Sequence, residues 1–121
     1  MRYIDGFVIP IPKRKLAAYR RIAQKAGKIW MDHGALAYVE AVGDDLKPDQ
    51  VVATFPKLAR VKPGETVVFS YIVYKSRAHR DRVNAKVLKD PRMLRMAKSG
   101  MEMPFEMKRM SYGGFKSIVD R

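Results

Sequence analysis

The chain has 121 residues, of which 47% are hydrophobic, and its 25 Lys and Arg against 12 Asp and Glu give a formal net charge of +13. This length fits one domain over residues 1–121, large enough to bury a sizeable core. The absence of cysteine excludes disulfides, thiolate metal sites and a cysteine nucleophile, and fits a cytoplasmic protein. No apolar run approaches the roughly 20 residues of a membrane span, and the N-terminal residues lack a signal-peptide pattern.

The N-terminal third of the chain predicts a strand followed by a long helix. Alternating β-branched and aromatic residues indicate strand one at 2–11, and Pro10 and Pro12 end it because proline cannot donate to a β-ladder. Apolar residues at three- and four-residue spacing then predict a helix over 13–33. Gly34 is placed to end this helix as a left-handed cap.

The middle of the chain predicts a second strand and a long loop. Strand two is expected at 35–42, and residues 43–64 carry Pro and Gly without a sustained period, apart from one short helical turn near 55–58. A loop of this length in a compact domain is more often functional or part of an interface than idle. Asp44 and Asp45, just after strand two, could hold a divalent cation, but ordinary turn chemistry explains them better.

The second half predicts a central strand and a capped helix. Residues 65–75 are apolar on both faces, as expected for a strand covered on both sides. Ser76 can cap a helix over 77–89. The inner stripe of this helix is expected to be His79, Val83 and Val87, with Leu88 alongside.

The C-terminal region predicts a short helix and a last strand. Pro91 can open the helix, the segment 99–107 is irregular, and residues 108–119 read as the final strand. The pair Gly113 and Gly114 in that strand indicates a bulge or a close backbone approach.

The order of these elements predicts an α+β domain of the ferredoxin-like βαββαβ type. It would have a four-stranded antiparallel sheet with helices on one face. The other face would be apolar, because strand three is apolar on both sides. Such patches mark interfaces, so we expect a homodimer in which two sheets pack face to face around a twofold axis.

The chain resembles the YbaA-like family of small bacterial proteins of unknown function. The resemblance covers essentially the whole chain and is carried by YIDGFVIPIPK near the N-terminus and by HGALAYVEAVGDDL (33–46), VVFSYIVYKSRAHRDRVNAKVLKDPRM (67–93) and MPFEMKRMSYGGF (103–115). It implies a ferredoxin-like fold in the dimeric α/β-barrel group, which includes small cofactor-free monooxygenases and isomerases. The family carries no established reaction, so the resemblance transfers no catalytic residue and implies no cofactor.

Carboxylates inside strands are the first candidates for site chemistry. Asp5 and Glu40 are of a type depleted in strands and costly to bury unpaired. Together with Tyr38 and with His33 as a general base, they form a candidate site for a small polar or phenolic ligand. The structural alternative is that the carboxylates pair with Arg109 or another arginine and that the histidine caps its helix.

Four more residues complete the candidate ligand site: Trp30, Ser70, Tyr74 and Arg109. Tyr74 could orient a ligand hydroxyl. No Gly-x-Ser-x-Gly elbow surrounds Ser70, so a serine nucleophile is disfavoured. Packing in the core or at an interface is the default for both Ser70 and Tyr74.

A metal site is not predicted. It would have to combine His33, His79 and Glu40, which are far apart in sequence and lack H-x-x-x-H spacing.

Three hypotheses about function remain open. The first is a dimeric barrel with a small-molecule pocket, either a cofactor-independent enzyme or a binding protein. The second is a structural or interaction subunit that uses the loop 43–64 and the segment 97–107. The third is weak, salt-sensitive association with nucleic acid through the basic helix faces and residues 92–98. Sequence-specific RNA reading is disfavoured, because Phe69 and Tyr71 have strongly apolar neighbours.

Overall fold

The computed structural model describes residues 1–99 and 103–121. Short 3-10 turns lie at Lys13–Lys15 and Met107–Arg109. In chain order the other elements are β1 (Tyr3–Pro12), α1 (Leu16–Asp32), β2 (Ala37–Val42), α2 (Phe55–Leu58), β3 (Glu65–Tyr74), α3 (Arg77–Lys89), α4 (Pro91–Lys98) and β4 (Ser111–Lys116).

The four strands form one antiparallel sheet in the order β2-β3-β1-β4. β3 is therefore a central strand, as its two apolar faces predicted. The pairing of β1 with β4 runs without interruption from Val8 opposite Ser111 to Tyr3 opposite Lys116. The glycine pair thus forms no bulge within β4 and instead permits a close approach, since a Cβ on Gly114 would overlap the Tyr3 hydroxyl.

The helices α1 and α3 pack on one face of the sheet and form two apolar clusters with it. One cluster joins Ile29 of α1 and Val83 of α3 to Ile72 of β3. The other joins Ala23 of α1 to Ile9 of β1 and to Val68. This arrangement confirms the predicted α+β class with an antiparallel sheet and helices.

Helix α3 begins and ends at the predicted residues, but its inner face is narrower than expected. The Ser76 side chain accepts a hydrogen bond from the His79 backbone N–H at 3.1 Å and caps the helix. Val83 and Val87 are buried, whereas Leu88 is 68% exposed, so its predicted place in the core is wrong. The reason is geometric: one residue beyond Val87 lies about 100° further around the helix.

The predicted strand ends also need correction. β2 begins at Ala37 instead of residue 35, because Gly34 and the residues after it complete the turn that ends α1. Gly34 has a φ of 109°, which confirms its predicted left-handed cap. β4 spans only Ser111–Lys116, because a 3-10 turn precedes it and its pairing with β1 ends there. The short helical turn that was predicted near 55–58 is present as α2, within the long loop 43–64.

The second face of the sheet is apolar and open. Residues from three strands line a shallow concavity of about 650 Å³ there, among them Val8, Phe69, Tyr71 and Phe115. Phe69 and Phe115 are 45% and 62% exposed. Phe55 of α2 packs on Phe69 with ring centroids 5.9 Å apart, so the long loop folds back over one end of this face.

No helix in the described parts of the chain combines the length and the apolar character needed to cross a bilayer.

Candidate functional site

Glu40 is the carboxylate around which the candidate site is built. It lies in β2 opposite Ser70 of β3, on the sheet face that packs against the helices. The hydroxyl of Tyr19, one of the buried residues of α1, donates to Oε1 at 2.9 Å and to Oε2 at 2.5 Å. Burial raises the pKa of Glu40, and hydrogen bonds from Tyr19 and Ser70 oppose that rise. A carboxyl shifted in this direction is suited to holding or transferring a proton.

Two cavities meet at Glu40, one on each side of α1. The inner cavity, of about 400 Å³, lies between the sheet, α1, α4 and the segment 103–110. The outer cavity, of about 600 Å³, lies between α1 and strand β2, which forms an edge of the sheet. Tyr19, Ala23, Tyr38 and Glu40 line both. A ligand can therefore approach the Glu40 carboxyl from either side.

The wall of the inner cavity is mainly apolar and rich in methionine. Methionine is unbranched and flexible, so such a wall can adapt to ligands of different shape. Among the residues that the structure describes, five methionines line it: Met93, Met96, Met103, Met107 and Met110.

The ring of Tyr38 packs directly against the backbone of α1 at Gly27. A Cβ on Gly27 of α1 would lie 2.7 Å from Cδ1 of the Tyr38 ring, so only glycine fits at this crossing. The Trp30 ring lies 6.1 Å from the Tyr38 ring, centroid to centroid. Burial raises the pKa of the Tyr38 hydroxyl, so this group stays neutral even well above physiological pH. The sequence signal for this contact was a glycine in a helix interior, where glycine is normally costly.

Asp5 is not part of the cavity walls but the centre of a buried polar cluster. It is 2% exposed and accepts a hydrogen bond from the Tyr112 hydroxyl at 3.1 Å. Arg80 Nε lies 3.4 Å from Oδ1, an ion-pair distance without hydrogen-bond geometry, and Arg80 Nη2 donates to the Tyr3 hydroxyl at 3.0 Å. Burial raises the pKa of Asp5, and the charge of Arg80 opposes this. Asp5 thus lies in an ion pair with an arginine, as in the structural alternative to a ligand site, and that arginine is Arg80.

Trp30 and Tyr74, two other candidates for ligand binding, share a hydrogen-bond acceptor, the side-chain amide oxygen of Asn84. Trp30 Nε1 and the Tyr74 hydroxyl both donate to Oδ1 of Asn84 in α3, at 3.1 and 3.2 Å. The Trp30 ring lines the inner cavity, whereas Tyr74 is fully buried in the core. Trp30 therefore offers a ligand its ring face, and its N–H is already committed.

His33 and Arg109 lie away from the two cavities at Glu40. His33 Nε2 lies 2.7 Å from Oδ2 of Asp90, the residue that caps the N-terminus of α4. His33 is itself the C-cap of α1, so its ring joins the end of one helix to the start of another. Arg109 donates to both carboxylate oxygens of Glu65, at 2.8 and 2.9 Å, and so does not pair with Asp5 or Glu40.

The structure brings together four of the eight predicted site residues: Trp30, Tyr38, Glu40 and Ser70 all line the inner cavity. Tyr19 was not among the predicted site residues, although its hydroxyl donates to Glu40; its position among the apolar residues of the predicted helix 13–33 indicated only core packing. His79 accepts the Lys75 backbone N–H at Nδ1. Among the residues the structure describes, no three His, Asp or Glu side chains are grouped as a metal ion would require.

Two bacterial proteins that are similar to this chain over its whole length are named as uncharacterized. The chain is 45% identical over 120 residues to "Uncharacterized protein YbaA" of Escherichia coli strain K12, with 99% of each chain covered. The protein of the same name in Shigella flexneri shows the same identity and coverage. The "De novo designed protein Foldit4" aligns with 97% of this chain and 99% of its own, but its TM-score of 0.46 and identity of 10% are too low to support an argument.

The sequence profile described as "Protein of unknown function (DUF1428)" matches residues 2–107, most of the chain. Together with the full-length similarity to YbaA, this match confirms the resemblance drawn from the sequence. The chain belongs to the DUF1428 family of proteins of unknown function.

Proposed function

We propose that the protein binds a small, mainly apolar molecule at Glu40 and that Glu40 exchanges a proton with a hydroxyl or a similarly acidic group of that molecule. The observation that carries the proposal is the position of a half-buried carboxyl, its pKa raised by burial, where two cavities meet. Each cavity has a volume in the range of small-molecule sites.

The proposed roles follow from what each side chain can reach. Glu40 exchanges the proton, and the Tyr19 hydroxyl stabilises the ionised form of Glu40 by donating a hydrogen bond to it. Trp30, Tyr38 and Ser70 shape the wall beside them. Proton transfer of this kind requires no cofactor, in keeping with the cofactor-free isomerases and monooxygenases of the group that the family resembles.

Two probes with the same ring system test this proposal. The neutral probes 2-naphthol and 2-methoxynaphthalene differ in whether they can donate a hydrogen bond, and both fluoresce. We expect 2-naphthol to bind about tenfold more tightly, the value of one hydrogen bond to a charged acceptor at a partly buried site. Glu40→Gln should remove most of this preference and leave the affinity for 2-methoxynaphthalene unchanged.

The control is Tyr71→Phe, which alters a ring on the opposite face of the sheet. It should leave both affinities at their wild-type values. Equal affinity for the two probes, or a preference that survives Glu40→Gln, would refute a proton-exchanging role for Glu40.

We further propose that the domain has a ferredoxin-like arrangement and forms a homodimer of the dimeric α/β-barrel kind. The strand order, written from the other edge as β4-β1-β3-β2, and the packing of α1 and α3 on one face support the arrangement. The exposed rings of Phe69 and Phe115 on the open face support the dimer, because exposed apolar patches of this kind mark interfaces.

Sedimentation equilibrium at micromolar concentration tests the dimer with two matched variants. Phe69→Glu places a charge on the open sheet face, and Leu88→Glu places one at an exposed apolar residue of α3. The wild type and Leu88→Glu should sediment at twice the chain mass and Phe69→Glu at the chain mass. A wild-type monomer, or a dimer unaffected by Phe69→Glu, would overturn this interface.

Weak nucleic-acid association is a second candidate, favoured by a basic groove between α1 and α4. Lys25, Lys28, Arg92 and Arg95 line this groove, which has a volume of about 410 Å³. Anisotropy titration with single- and double-stranded RNA should show binding that weakens steeply with salt. No binding at about 0.15 M salt would dispose of this candidate.

A further inference from the structure

The outer cavity has a distinct charge at each of its two ends. Glu40 lies at its inner boundary, shared with the inner cavity. Arg20, Gln24 and Lys28, spaced four residues apart on α1, are exposed and line its rim. Apolar residues of the sheet such as Val42 and Val68 also line the cavity. A molecule in this cavity can therefore contact a carboxyl at the inner boundary, cations at the rim and apolar walls.

The rim has an excess of positive charge. Among the described residues that line the outer cavity, Glu40 is the only acid. Lys28 pairs with Asp32 at 3.3 Å, in an exposed and therefore weak ion pair. No ion pair to Arg20 is found within residues 1–99 and 103–121.

We infer that the natural ligand is a carboxylate-bearing molecule whose carboxylate is bound by Arg20 at the rim of the outer cavity while its apolar body extends inward to Glu40. The inference rests on the proposed function of Glu40 and adds the charge class of the ligand. Arginine suits this role because its guanidinium donates two parallel hydrogen bonds to a carboxylate. The opposite orientation would place two carboxylates together in a partly buried site, which is unfavourable.

Gln24 and Lys28 act beside Arg20 as positioning residues. Their four-residue spacing places both on the same face of α1, facing the ligand along the rim. Arg20 determines specificity, because it distinguishes an anionic ligand from a neutral one of the same shape.

Equilibrium fluorescence titration of the full chain tests this inference with 6-hydroxy-2-naphthoate and its neutral methyl ester. Both keep the hydroxyl of 2-naphthol, and only the first carries a carboxylate at the far end of the ring. We expect the acid to bind about fivefold more tightly than the ester at low salt, as for one charge-assisted pair at an exposed rim. The preference should decrease as salt is raised.

Arg20→Gln should abolish this preference and leave the affinity for the ester unchanged, and Arg20→Lys should restore part of it. The matched control is Arg82→Gln, which removes one exposed arginine from α3 and should preserve the preference. Circular dichroism and melting temperature confirm that each variant is folded.

The outcomes separate the inference from the proposal beneath it. If 2-naphthol is preferred to its methyl ether but the acid binds no better than its ester, Arg20 has no such role and only the function of Glu40 remains. If Arg82→Gln weakens the acid as much as Arg20→Gln does, the effect is general electrostatics and the inference fails. If 2-naphthol binds no better than its ether, both the proposal and the inference fail.

Discussion

The hydroxyl of Tyr19 donates to both carboxylate oxygens of Glu40, at 2.9 and 2.5 Å, and thereby joins α1 to the edge strand β2. Tyr19 is buried and Glu40 is half-buried, so the bond replaces part of the hydration that Glu40 has lost. It also lies where the inner and outer cavities meet. One interaction thus contributes to stability and controls the protonation of the group we place at the centre of the site.

Removing the Tyr19 hydroxyl should affect both properties. We expect Tyr19→Phe to lower the free energy of unfolding by about 1–3 kcal/mol, because a partly buried carboxyl loses a hydrogen-bond donor. The pKa of Glu40 should rise further, since this hydrogen bond lowers it in the wild type. Urea denaturation and an NMR titration of the Glu40 carboxyl carbon measure the two effects. Tyr71→Phe serves as the control, and an unchanged or lower pKa in Tyr19→Phe would contradict the prediction.

The raised pKa of Glu40 predicts a specific dependence of stability on pH. Above the ordinary value of 4.5, and up to the raised native value, the native protein holds a proton that the unfolded chain has lost. The contribution of Glu40 to stability is therefore complete below 4.5 and is lost as pH rises through that window. We expect the unfolding free energy of Glu40→Gln, measured in urea between pH 4.5 and 8, to lack this decrease.

The relevant quantity is the difference between Glu40→Gln and the wild type at each pH, because other carboxylates titrate as well. Asp45→Asn, in the exposed turn after β2, provides the control and should run parallel to the wild type. A constant difference between Glu40→Gln and the wild type over the whole range would show that Glu40 titrates normally.

The pair of Glu65 and Arg109 predicts the opposite pH dependence. The Arg109 guanidinium lowers the pKa of Glu65 from 4.5 to about 2. The stability this pair contributes is complete above 4.5 and is lost as pH falls toward 2. Glu65→Gln should cost about 2 kcal/mol at pH 7, because the pair is bidentate and its side chains are only 9% and 16% exposed.

Chemical denaturation at pH 7 and at pH 3 measures this loss, which should be smaller at pH 3. The comparison variant is Glu106→Gln, whose exposed carboxylate lies 3.9 Å from Lys62 Nζ. That variant should change stability by less than about 0.5 kcal/mol. A loss from Glu65→Gln that is equal at both pH values would mean that the ion pair is not its cause.

Gly27 gives a prediction in which two effects oppose each other. In an exposed helix interior, replacing glycine with alanine stabilises a protein by about 1 kcal/mol. At Gly27 the added methyl would lie 2.7 and 2.8 Å from two carbons of the Tyr38 ring, closer than atoms can approach. We therefore expect Gly27→Ala to destabilise the protein by about 1–3 kcal/mol, as for an overpacked core.

Thermal and urea denaturation measure this change, with Gly27→Ala combined with Tyr38→Leu as the test of cause. Removing the ring contact should recover part of the loss, since the two positions interact directly. A more stable Gly27→Ala protein would mean that α1 can move away from the sheet at no cost.

Individual residues show where prediction from sequence succeeds. The Ser76 cap, the helix over 77–89 and the left-handed Gly34 are as predicted, because each depends on residues within one or two turns of itself. The predicted apolar open face is present because β3 alternates between two apolar faces, a pattern visible along a single strand. Leu88 was misplaced because a difference of one residue changes its direction on a helix.

The candidate site was predicted only in part, because its contacts join residues that are far apart in the sequence. The alternation of side chains along a strand indicated that Glu40 shares a face with Tyr38 and that Ser70 shares one with Tyr74, but it did not indicate which face the helices cover. The sequence also indicated that a carboxyl in a strand needs a partner.

Only the tertiary structure decided which partner each charged group has. Tyr19 meets Glu40 across 21 positions and Arg109 meets Glu65 across 44, and His33 is drawn to Asp90 instead of to the cavities. Strand register and helix packing determine such pairings, and with 25 basic residues in the chain many other pairings satisfy the same composition. Local chemistry thus determined the elements of this protein and their faces, whereas the assembly of the sheet determined the identity of its site.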